Sequence, residues 1–72
     1  MDREMLYDHL RQAERHVIQG ERHVARQRAL LAELEEGERD MVQAKALLEQ
    51  FEGLQVLHLA HRDRLKKELE SL

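Results

Sequence analysis

The chain has no cysteine, proline, tryptophan, threonine or asparagine, and it carries only three glycines and one serine, Ser71. Without cysteine there is no disulfide, no thiolate metal site and no thiol nucleophile, a usage that fits a reducing compartment. With no threonine, and with Ser71 beside a chain end expected to fray, a hydroxyl nucleophile held by a base has no position. The glycines stand far apart in the chain, so no glycine-rich phosphate loop can form. Carboxylates are plentiful but fall at solvent-facing helical positions, where solvated charge is the ordinary reading. No uncharged stretch approaches the ~20 apolar residues that span a bilayer, and no basic leader precedes an apolar run. The expectation is a cytoplasmic protein that is not an enzyme, with no catalytic residues and no membrane partner.

What is present points to helices. Charged residues make up 38% of the 72 positions and apolar residues 42%, weighted to Ala, Leu, Glu, Arg and Gln, with Tyr7 and Phe51 the only aromatics besides histidine. That mix belongs to long helices and coiled coils rather than sheets. A single domain of this length buries a marginal core unless oligomerisation adds to it. From Leu6, apolar or small positions step 4, 3, 4, 3 through Leu10, Ala13, Val17, Gly20 and Val24, are interrupted at Gln27, and resume at Leu31 and Leu34. This is a heptad seam. Glu14-Arg15-His16-Val17 recurs one heptad later as Glu21-Arg22-His23-Val24, placing like residues on like faces.

The second half has a different phase: Ala44, Phe51, His58, Leu65 and Leu72 form one row, and Leu47, Leu54, His61 and Glu68 are expected to form the other. The phase changes between Glu35 and Met41, where Gly37 is expected to end one helix. Asp40 with Gln43 resembles a capping box that opens the next. The reading is all-α: a coiled-coil-like antiparallel two-helix hairpin over residues 1–72, with helix one at about 2–36, a turn at about 37–40 and helix two at about 40–71. Centring the turn predicts layers of Leu34 with Ala44, Leu31 with Leu47, Gln27 with Phe51, Val24 with Leu54, Gly20 with His58, Val17 with His61, and Ala13 with Leu65. On the flank, Glu14 is expected near Arg62.

Helix two carries more apolar surface than one neighbour can cover. Ala46, Gly53 and Ala60 recur at heptad spacing, with Val42, Val56 and Leu59 beside them, and these six are the expected dimer interface. Ile18, Ala25, Ala29 and Ala32 form a matching ridge on helix one. A homodimer closing into a four-helix bundle is the expected assembly, a protein-protein interaction module whose outer face or acidic tip engages another protein.

Histidine supports an alternative. His9, His16 and His23 lie two turns apart, about 10 Å by helical rise, too far to share one ion. In the expected register, however, His58 sits over Gly20 between His16 and His23. Those three with His61 are the candidate ligands for a divalent metal, giving a small metal-binding or pH-responsive regulator. The plainer reading makes the seam histidines and Gln27 polar layers that fix register. Protonating all five histidines would move the formal charge from −3 to +2. Arg15, Arg22 and Arg26 form a basic face, which offers a second alternative, weak binding of nucleic acid or another acidic surface. The small net charge and the lack of interleaved aromatics argue against nucleic acid. Glu33, Glu35, Glu36, Glu38 and Asp40 make the turn acidic, opposite an end bearing Arg62, Arg64, Lys66 and Lys67.

The run Arg11 to Arg28 with its paired Glu-Arg-His-Val elements, and Phe51-Glu52-Gly53-Leu54-Gln55 with His58 and Arg62-Asp63-Arg64-Leu65, resemble short helical proteins of bacterial genomes that have no assigned activity. The resemblance implies a bacterial gene product with a helical shape, and it carries no substrate, cofactor or site.

Overall fold

The computed structural model describes residues 2–72. They form two helices, α1 (Arg3–Glu36) and α2 (Val42–Glu70), folded back on one another as an antiparallel hairpin 54 Å long and 14 Å across. The expected hairpin is present, and its helix bounds fall within two residues of those read from the sequence. Asp2 caps α1 by accepting a 2.8 Å hydrogen bond from the Met5 amide. At the other end of the chain the Ser71 hydroxyl donates to the Glu68 carbonyl at 3.0 Å.

The turn differs from expectation in one residue. Gly37 keeps near-helical backbone angles (φ −82°, ψ 4°), and the left-handed position is taken by Glu38 at φ 54°. The amide of Glu38 donates to the Glu35 carbonyl (3.1 Å) and that of Arg39 to the Leu34 carbonyl (2.9 Å), the paired bonds of a Schellman motif. The motif begins one residue later than a terminal glycine suggests because the Gly37 amide is still held by the Glu33 carbonyl at 3.0 Å. Asp40 is not the N-cap of α2: that position is Met41, which makes no side-chain capping bond, while Asp40 Oδ1 accepts from the Val42 amide at 3.0 Å and Gln43 has no capping role.

The best-buried cluster lies at the open end, where Leu6, Ala13 and Leu65 pack together with Leu10 and Leu69 against them. α1 buries its heptad row as expected, including Gln27. α2 does not. Its inward row of Ala44, Phe51, His58 and Leu65 is the expected one except for Leu72, which lies past the helix end and is exposed, and the second row is Leu48, Gln55, Arg62 and Leu69 rather than Leu47, Leu54, His61 and Glu68. One residue corresponds to a rotation of about 100° about the helix axis. The open end explains the choice: the expected row would direct the Glu68 carboxylate at the most buried cluster, whereas the observed row supplies Leu69.

Register shifts with rotation. Ala13 and Leu65 share the core as expected, but Gly20 faces Gln55 rather than His58, and Val17 is met by Gln55 rather than His61. Leu54 is half exposed instead of covering Val24. Arg62 bonds its neighbour Asp63 through Nε and Nη2 (3.0 and 2.9 Å) rather than Glu14, while its stem lies half-buried on the seam.

Three substitutions test this description. Glu38→Gly relieves a left-handed non-glycine residue and should raise stability by about 1 kcal/mol, and Gly37→Ala, at a negative φ where an added Cβ meets only ordinary contacts, should also gain about 0.4–1 kcal/mol. Leu65→Ala, at the only fully buried residue of α2, should cost about 3 kcal/mol. Urea denaturation midpoints report all three, and a clear loss of stability in Gly37→Ala or in Glu38→Gly would contradict the turn geometry.

Candidate interaction surface

Three polar side chains, Gln55, His58 and Arg62, occupy the α2 face that packs on α1. Gln55 Nε2 donates to the Val17 carbonyl at 2.8 Å, and from the opposite helix Gln27 Nε2 donates to the Ala44 carbonyl at 3.1 Å. Each helix therefore sends one carboxamide across the seam to the other's backbone. Gly20 makes room for the first: a Cβ there would come within 2.7 Å of Gln55 Cδ and collide with Oε1. Gln55 Oε1 is itself buried without a hydrogen-bond partner, so the clamp carries a desolvation cost.

The four candidate metal ligands do not converge. His16 and His58 meet with ring centroids 5.5 Å apart, but His23 packs on Phe51 at 5.3 Å and His61 is exposed. Among the described residues no group of three or more histidine or acidic side chains is placed to hold a metal ion. The reason is the register: with Gln55 over Gly20, His58 moves one turn along α1 toward His16 alone.

The expected interface set divides between two faces of α2. Ala46, Gly53 and Ala60 are exposed, and nothing lies within 4 Å of where a Gly53 Cβ would stand. Val56 and Leu59 instead border a shallow depression with Val24, Arg28, Glu52 and Gln55, beside the Arg28–Glu52 ion pair at 3.3 Å. Val42 is 72% exposed near the start of the helix. Arg15, Arg22 and Arg26 are all exposed on α1, as the basic face requires.

Sequence reasoning missed Leu57, which is 65% exposed, and it assigned Leu47 and Leu54 to the seam when both point outward. The available signal was charge: the α2 face containing Leu47, Gln50, Leu54, Leu57 and His61 has no Asp, Glu, Lys or Arg between residues 43 and 61. A second depression, lined by Leu30, Leu34, Asp40, Gln43 and Leu47 among others, joins this face to α1 near the turn. Among the described residues no helix is long and apolar enough to cross a membrane. Comparisons with protein-family models, curated proteins and solved structures found no match.

The glutamine clamp makes a coupling prediction. Replacing a helical glycine by alanine ordinarily gains about 1 kcal/mol. Gly20→Ala should gain nothing in the native chain, because it displaces Gln55, and should recover the full gain in a Gln55→Ala background. Additive effects in a double-mutant cycle by thermal denaturation would show that the two residues do not touch.

Proposed function

We propose that this chain is a non-catalytic protein-protein interaction module that acts as a homodimer, two hairpins closing into a four-helix bundle. One observation carries the reading: α2 leaves an uncharged row of leucines uncovered by α1. Its inward face holds Gln55, His58 and Arg62, while Leu47, Leu54 and Leu57 are 40%, 50% and 65% exposed. A lone hairpin leaves these leucines in water, so their apolar stabilisation is unused until another surface covers them.

Surface area supports the same conclusion. The accessible area is 5814 Å², against about 4,700 Å² expected for a compact monomer of this mass. The excess of about 1,100 Å² is comparable to the ~800 Å² that each partner contributes to a standard interface. A second copy is the simplest supplier of a matching uncharged face, since closed symmetric dimers are the commonest assembly. The basic face of Arg15, Arg22 and Arg26 then remains free for a further protein.

Light scattering coupled to size exclusion, at micromolar concentration, should give twice the 8.6 kDa chain mass. A folded particle of one chain mass would remove the basis of the reading.

A further inference from the structure

Resting on the dimer reading above, we infer that the partner copy docks antiparallel on the α2 face centred on Leu54 and Leu57, with the two-fold axis crossing α2 between residues 55 and 56. Three observations lead there. First, the uncharged face has its own heptad pattern, independent of the seam against α1: Leu47, Leu54 and His61 form one row, and Gln50 and Leu57 the other. Ala46, Gly53 and Ala60 flank those rows, and the open space at Gly53 leaves room for close helix approach.

Second, the pattern is self-complementary about its middle. Antiparallel helices pair one row with the other. With the axis between residues 55 and 56, Leu54 of each copy meets Leu57 of the other, giving four leucines at the centre. Gln50 of each then meets His61 of the other, so the flanking layers pair an amide with an imidazole rather than leaving either against leucine.

Third, the charges choose the direction. The turn carries Glu33, Glu35, Glu36, Glu38 and Asp40 against only Arg39, while near the far end of α2 the docking face carries Arg64 and Lys67 against Glu68. An antiparallel partner sets Lys67 and Arg64 of each copy opposite Ala44 and Leu47 of the other, about one and two helical turns from its acidic turn. A parallel partner would stack Arg64 on Arg64 and gather both acidic turns at one end, which is repulsive.

The face therefore differs from the one that small-residue spacing alone selects. Val56 and Leu57 are adjacent and almost equally exposed, at 66% and 65%, yet only Leu57 lies on it. Leu57→Glu should convert the dimer to monomer at micromolar concentration with helicity retained, while Val56→Glu should remain dimeric. Direction is read separately with one spin label on Glu70→Cys, in a chain that has no cysteine of its own. The antiparallel arrangement places the two labels about 45 Å apart, and a parallel one under about 25 Å. A short distance, or a Leu57→Glu protein that stays dimeric, overturns this arrangement while leaving the dimer reading intact. A monomeric wild-type chain overturns both.

Discussion

Gln27 and Gln55 are the constraint on which the rest of the hairpin depends. Each carboxamide crosses the seam to a backbone carbonyl of the other helix, so the two bonds fix how far α2 slides along α1 and which of its faces turns inward. Apolar heptad rows tolerate several registers, because one leucine layer resembles the next. A buried amide tolerates few, because a carboxamide left without a partner costs about 1–3 kcal/mol. Gly20 completes the lock by admitting the Gln55 side chain where any Cβ would exclude it.

That lock has a consequence for α2 as a whole. With Gln55 inward, Arg62 and His58 share its face, and the leucines one position away along the helix point outward. The open end agrees, since Leu69 joins Leu6, Leu10, Ala13 and Leu65 only in this rotation. Polar residues inside and leucines outside would be a poor arrangement for an isolated chain of this size. It becomes consistent when a second chain covers the outer face. In the proposed dimer that local conflict between pattern and burial would mark the interface, and exposed ion pairs such as Arg11 with Asp8 at 3.6 Å contribute little to stability.

The sequence was informative in proportion to how one-sided each helix is. α1 has a single apolar row, and its seam from Leu6 to Leu34 is legible residue by residue. The break at Gly37 to Asp40 is legible too, although which residue takes the left-handed angle depends on hydrogen bonds that spacing does not encode. α2 carries two adjacent rows of similar hydrophobicity, one through Leu47 and Leu54 and the other through Leu48 and Leu69. Choosing between them requires knowing that Glu68 would meet the buried end and that Gly20 has space for a glutamine. Those are facts about pairs of residues on different helices. The histidine cluster failed for the same reason: one turn of register separates three imidazoles over Gly20 from the single contact of His16 with His58.

The most direct measurement is the set of nuclear Overhauser contacts from the two seam carboxamides and the neighbouring rings. The account predicts contacts from the Gln55 amide protons to Val17 and Gly20, from the Gln27 amide protons to Ala44, and between the His16 and His58 rings. Contacts of His58 with Gly20 and of His61 with Val17, with the Gln55 amide exposed to solvent, would contradict it.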